Sequence, residues 1–268
     1  MARNEQDTAA MWAQARVASE NYIRSRSVGI YLTVTPQETY SGSAICLEID
    51  GRLFVATAGH NFDGVENGAA FVAFSANRSS DTPLQILRSN LARNRQRNDP
   101  DLAWLEIDAA SAKASDLEGI SLNSVVAYPV IHPNDGYVAT GFPAQLRREQ
   151  RVRPNHVNFV VPLMVYFTAA ARIDDDEIVL NYHREGLGPQ GPGVVAEPPG
   201  MSGGPIFHVP TELAEGEIWN AGRIRLIGTT TRYVRGRNEL YGIAMAQWLT
   251  LLRNDLPELA RTLNVLLA

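Results

Sequence analysis

Gly200-Met201-Ser202-Gly203-Gly204-Pro205 follows the Pro198-Pro199 turn and runs directly into the apolar pair Ile206-Phe207. A serine set among glycines, on a turn that feeds a strand, has an exposed hydroxyl and a backbone that another group can approach closely. Acyl-transfer chemistry needs both. The nucleophile must be accessible, and backbone N–H groups, here those of Gly200 and Ser202, must point at an oxygen that becomes negative. A glycine-serine run also reads as a flexible loop, so the choice rests on what stands elsewhere in the chain.

Such a serine needs a base, and Thr57-Ala58-Gly59-His60 puts a histidine immediately after the apolar run Arg52 to Ala58, with small residues leaving room for a neighbour. The other histidines, His132, His156, His183 and His208, have no such setting and read as structural or solvated. Asp99-Pro100-Asp101 then offers an orienting carboxylate at the mouth of the apolar run Leu102 to Ile107. Asp101 is the better placed, because backbone N–H groups at a strand mouth can hold a carboxylate while it accepts from an imidazole N–H. Asp99, directly before Pro100, reads as a turn former.

Around these three motifs the chain reads as strands. Ser27 to Thr35, Ala44 to Ile49, Arg52 to Ala58, Phe71 to Phe74, Leu84 to Leu87 and Leu102 to Ile107 are short apolar runs separated by Gly, Pro, Asn or Asp. Asp50-Gly51 marks a type I′ hairpin. A polar stretch, Asp108 to Gly136, divides these from a second set: Tyr137 to Gly141, Val157 to Ala170, Glu177 to Tyr182, Ile206 to Val209, Arg225 to Val234 and Leu240 to Ala244. Ala9 to Tyr22 has helical spacing, as does the closing stretch with Leu256, Leu259, Leu263 and Leu267. Two sets of evenly spaced short strands point to two packed β-barrels. The expected division is an N-terminal helical extension over 1–26, a first barrel over 27–120, a second over 121–250 and a C-terminal helix over 251–268.

Composition narrows the function classes. Among 268 residues, 24 Lys and Arg stand against 29 Asp and Glu, so no global field favours nucleic acid or an anionic membrane. With 45% apolar residues the core needs no staple. Cys46 is the only cysteine, and the first residues carry no apolar leader, so a reducing, cytoplasmic compartment is expected. No histidine pair has zinc spacing, and neither metal nor cofactor is expected. Gly186-Leu187-Gly188-Pro189-Gln190-Gly191 matches a dinucleotide fingerprint, but Pro189 and Pro192 forbid the helix that should open there. Arg147, Arg148, Arg151 and Arg153 read as a solvated basic loop.

With histidine, aspartate and serine in that order, the chain resembles the trypsin-like (chymotrypsin-fold) serine peptidases of the disulfide-free bacterial kind. Tyr137-Val138-Ala139-Thr140-Gly141-Phe142-Pro143 and Leu226-Ile227-Gly228 also resemble strands of that family's second barrel. The resemblance implies an all-β fold of two packed Greek-key β-barrels with short N-terminal and C-terminal helices. It also implies a serine endopeptidase with His60, Asp101 and Ser202 as its triad. The Gly200 and Ser202 N–H groups would form the oxyanion hole, and a protein or peptide substrate would pair along Thr230 to Tyr233. Ala196, Glu197, Thr231, Tyr233 and Gly242 would line the specificity pocket. Met201 stands where zymogen-activated members carry an aspartate, which argues against activation by a cut N-terminus. Restraint by narrow specificity or by a regulatory protein partner is expected instead. Two rivals stay open: a catalytically silent binding module of the same fold, and an esterase or acyltransferase using the same triad.

Overall fold

The computed structural model describes residues 16–35, 38–65, 69–77, 82–91, 100–132, 135–153, 156–183, 185–188, 191–210 and 219–268. Asp99, Pro189 and the helical stretch expected over 9–15 lie outside them.

A first antiparallel sheet is built from β1 (Ser27–Thr35), β2 (Glu38–Ile49), β3 (Arg52–Ala58), β4 (Ala70–Ser75), β5 (Ile86–Asn90) and β6 (Leu102–Ile107), in the order β4-β1-β2-β3-β6-β5. A short β7 (Ile120–Ser121) adds to β2 in parallel. The second sheet takes β8 (Gly136–Gly141), β11 (Met164–Thr168), β12 (Ala170–Ile173), β13 (Glu177–Asn181), β16 (Pro205–Val209), β17 (Arg225–Val234) and β18 (Glu239–Ala244). Its order is β11-β8-β16-β17-β18-β13-β12. Two ribbons stand off these sheets, β9 (Arg148–Arg153) with β10 (His156–Val160), and β14 (Glu185–Gly188) with β15 (Gly191–Val194). Asp50 and Gly51 both have positive φ, 51° and 74°, which is the type I′ geometry of the β2–β3 hairpin.

Alternation along the strands sorts side chains between two apolar environments. Ala44, Cys46, Val55, Ala103 and Leu105 fill the inside of the first half-barrel, and Ala139, Ile178, Ile206, Ile227 and Leu240 that of the second. The residues between them, including Ile45, Leu47, Phe54, Trp104, Val138, Phe207 and Leu226, meet in a third cluster that joins the two sheets. Both faces of the central strands are therefore buried, which is why β6 is buried along its whole length and apolar at every position but Glu106.

Helices close the ends. The helix over 16–24, α1, puts Ile23 into the shared cluster. A short α2 (Ala109–Ala114) is capped by the Asp108 carboxylate, which accepts from Ser111 N–H at 2.8 Å. The closing helix is two helices, α3 (Met245–Asp255) and α4 (Ala260–Leu267), so it begins well before the pattern read from Leu256. Met245, Trp248, Leu249 and Leu252 carry the i, i+3, i+4, i+7 stripe of α3 into the shared cluster, and Pro257 opens the turn between the two.

Two other expectations need correction. Val157 to Ala170 is not one strand: β10, β11 and β12 are separate, with Val161-Pro162-Leu163 between the first two, because proline lacks the N–H that a ladder requires. The stretch read as a basic loop is β9, whose residues Arg148 to Arg153 include a single apolar side chain, Val152, and so carry no alternation to be read.

Candidate active site

The register of the first sheet brings His60 to Asp101. Strands β3 and β6 run antiparallel with Ala58 opposite Leu102, so the residue after one strand end meets the residue before the other. Gly59 N–H donates to the Asp101 carbonyl at 3.1 Å, and His60 N–H donates to Asp101 Oδ1 at 2.8 Å. The second carboxylate oxygen, Oδ2, contacts His60 Nδ1. Both side chains are about one-third exposed, His60 at 34% and Asp101 at 38%, so the pair opens to solvent on one side.

The Ser202 loop is seated from the second sheet on β2, β3 and the turn that carries His60. The Ser202 carbonyl accepts from Ser43 N–H of β2 at 2.9 Å and from the Asn61 side-chain amide at 2.8 Å. Gly203, with φ of 82°, presses so closely on β2 and β3 that a β-carbon would stand 2.1 Å from the Ser43 carbonyl oxygen and 2.2 Å from Thr57 Oγ1. Only glycine fits both the backbone angle and the contact.

Two peptide planes in this loop are fixed by their carbonyls. The Pro199 carbonyl accepts from Ala144 N–H at 2.8 Å. The Met201 carbonyl accepts from Gly204 N–H at 2.8 Å and from the Thr230 hydroxyl. In a trans peptide the N–H points opposite to the C=O, so the Gly200 and Ser202 N–H groups are turned away from those contacts. Neither donates a hydrogen bond among the described residues. Ser43 adds a further tie: its hydroxyl donates to the Gly200 carbonyl at 2.7 Å and accepts from Phe142 N–H at 2.8 Å.

The Ser202 hydroxyl itself donates to the Thr231 carbonyl, 3.1 Å away. Beyond Thr230, β17 pairs with β18 along one edge only. Among the described residues the other edge of 231–234 has no backbone partner, and it begins at the carbonyl that holds Ser202. Among the described residues no group of three His, Cys, Asp or Glu could hold a metal ion, and no helix is long and apolar enough to cross a membrane.

No protein-family model matches the chain, and no curated protein matches it in sequence. Its shape, however, is similar to that of the Rv3671c protease from M. tuberculosis in its active form, at 15% identity over 90% of this chain and 85% of that one, with a TM-score of 0.50. The fold is that of the trypsin-like serine proteases. A thermostable serine protease, AL20, from an extremophilic microorganism aligns over 82% of this chain and 91% of its own, at 18% identity and a TM-score of 0.48. The HtrA-type protease AlgW, solved with a tripeptide, aligns over 90% of this chain and 63% of its own, at 17% identity and a TM-score of 0.46. In this trypsin-like fold the single cysteine, Cys46, is fully buried in β2, and no disulfide is present.

The residues read from sequence as a specificity pocket come from three segments: 196–197 before the Ser202 loop, 231–233 of β17 and Gly242 of β18. Ala196 is nearly buried, and its carbonyl accepts from the Tyr182 hydroxyl at 2.6 Å. The Tyr182 ring lies 5.4 Å from that of Tyr233 and 4.5 Å from that of Tyr166, so an aromatic cluster stands beside Ala196. The Glu197 carboxylate is paired with Arg235, at the turn after β17. Thr231 lies beside the serine, and its hydroxyl donates to the Tyr241 carbonyl at 3.3 Å. Gly242 faces inward: a β-carbon on it would meet Ile206 Cδ1 at 2.2 Å, inside the second half-barrel.

Ser43, Asn61 and Tyr182 were not singled out in the sequence, and Thr57 and Thr230 were named there without their part in fixing the Ser202 loop. For Ser43, inside a strand and far in sequence from its partners, there was no signal.

Proposed function

We propose that the protein is a serine endopeptidase in which Ser202 is the nucleophile, His60 the general base and Asp101 the group that holds the imidazole. The observation that carries this reading is the pair of fixed peptide planes. With the Pro199 and Met201 carbonyls tied down, the Gly200 and Ser202 N–H groups stay available for an oxyanion without reorganisation.

The open edge of 231–234 supports a peptide as the substrate, because an extended chain can add there as a strand. A substrate N–H bonded to the Thr231 carbonyl competes with the Ser202 hydroxyl for the same acceptor. The hydroxyl then turns to His60 Nε2, which takes its proton as Oγ attacks the scissile carbonyl. Collapse of the tetrahedral intermediate passes that proton to the leaving amine. Water, activated by the same imidazole, then releases the acyl group. The buried, unpaired Cys46 supports a reducing compartment such as the cytoplasm, where a protease needs narrow specificity or a regulatory partner to restrain it.

The test is covalent labelling by a fluorophosphonate together with peptide and ester turnover. One labelled serine, lost in Ser202→Ala, with peptide hydrolysis lost in the same variant, is the expected result. Ester turnover without peptide turnover would instead favour an acyltransferase or esterase. No labelling of the wild type would favour a silent binding module, for which the Ser202 contact with Thr231 is the permanent state.

A further inference from the structure

Asn61 sits between the two halves of the site. Its side-chain amide donates to the Ser202 carbonyl at 2.8 Å and lies 2.9 Å from Thr57 Oγ1. The Thr57 hydroxyl in turn donates to the Ser43 carbonyl at 2.7 Å, and Ser43 N–H donates back to the Ser202 carbonyl at 2.9 Å. These four residues form a closed ring that takes in β2, β3, the turn that carries His60 and the loop that carries Ser202.

The ring has a seat made for it. Gly42 faces the amide, and a β-carbon there would stand 2.4 Å from Asn61 Cγ and 2.6 Å from Nδ2. The space that a side chain on β2 would occupy is therefore given to Asn61. Resting on the reading of Ser202 as nucleophile and His60 as base, we infer that Asn61 is a positioning residue that fixes the separation between them. Its main chain is continuous with that of His60, and its amide grips the main chain of Ser202. With the Met201 carbonyl tied on one side of Ser202 and its own carbonyl held by two donors on the other, rotation about χ1 is the freedom left to the nucleophile. In the proposed mechanism that rotation takes the hydroxyl from Thr231 to His60. Without the amide grip, the loop and the base shift independently, and misplacement by about 1 Å costs about 10²-fold in rate.

The test compares wild type, Asn61→Ala, Gly42→Ala and the double variant, by fluorophosphonate labelling rate, kcat and KM on a peptide, and thermal melting. Asn61→Ala is expected to label about 10- to 100-fold more slowly, with kcat lowered and KM close to wild type. Gly42→Ala pushes the amide aside and is expected to slow labelling similarly. The double variant fills the vacated space with a methyl group. It is expected to melt like wild type yet label as slowly as Asn61→Ala, which separates loss of the donor from loss of packing. Labelling of the double variant within about 2-fold of wild type would overturn the inference, whether or not Asn61→Ala folds by itself. Absence of labelling in the wild type would instead bring down the assignment of Ser202, a distinguishable failure.

Discussion

The carboxylate of Asp101 occupies the space that a side chain on Gly59 would need: a β-carbon there would stand 2.9 Å from Oδ1. The glycine before His60 is thus part of how the carboxylate reaches the imidazole. Gly59→Ala is expected to displace Asp101 and to lower kcat by about 10²-fold with the fold intact. Asp101→Asn keeps the shape but loses the charge, and its expected loss is about 10⁴-fold. Single-turnover acylation of both variants checks the order. A glycine variant as fast as wild type would show that the carboxylate has room to spare.

The Glu197 carboxylate, which would select basic side chains if it stood bare in the cleft, is held by Arg235. Wild type is therefore expected to show no strong preference for Arg or Lys before the scissile bond. Arg235→Gln should uncover the charge and raise turnover of basic substrates relative to apolar ones, and Glu197→Gln should not. Profiling a peptide library with the three proteins reads this directly.

Burial pushes the Cys46 thiol up to about 12, so it stays protonated through the working range and is a poor nucleophile. Native protein is expected to resist iodoacetamide and to keep full activity, while unfolded protein alkylates at one site. Inhibition by the reagent under native conditions would contradict that expectation.

His208 bonds through Nε2 to Asp135 at 2.6 Å and stacks on His132, with Tyr137 and Arg225 beside it. Burial holds its pKa below the ordinary 6.5, with Asp135 opposing and the nearby His132 and Arg225 adding to the depression. The unfolded chain then binds a proton that the folded one refuses. The stability this neutral ring supplies is present above 6.5 and is lost as pH falls through the lowered value. Melting temperature should drop on acidification more steeply for wild type than for His208→Gln. Parallel curves would remove His208 from the acid sensitivity.

What the sequence reveals and hides here has a physical pattern. Asp50-Gly51 and the apolar runs beside it are local signals, and the hairpin forms as they dictate. His60 and Asp101 were legible because each sits at a strand end, where the sheet register alone brings them together. Asn61 and Ser43 were not, because their roles exist only once the Ser202 loop, more than a hundred residues away, docks on them. Tyr182 reads as the end of a strand, and only the fold places its hydroxyl under Ala196. The second set of strands was misread where Pro162 cuts a long apolar run and where the basic stretch Arg148 to Arg153 carries no apolar alternation.

The closing helices grip the strand that begins beside Asp101. Trp248 Nε1–H donates to the Ala103 carbonyl at 3.3 Å, and the Asp255 carboxylate accepts from the Trp104 indole and the Asn90 amide, each at 2.7 Å. Glu258 completes a charge network with Arg52, Arg88 and the buried Glu106. Trp104 and Asp255 lie 151 residues apart in the chain. On a ribosome adding about 5 to 20 residues per second, the half of the protein that carries His60 waits roughly 8 to 30 seconds for this brace. Synthesis itself thus acts as a timer: the strand that begins beside Asp101 gains this brace only after Asp255 has been made.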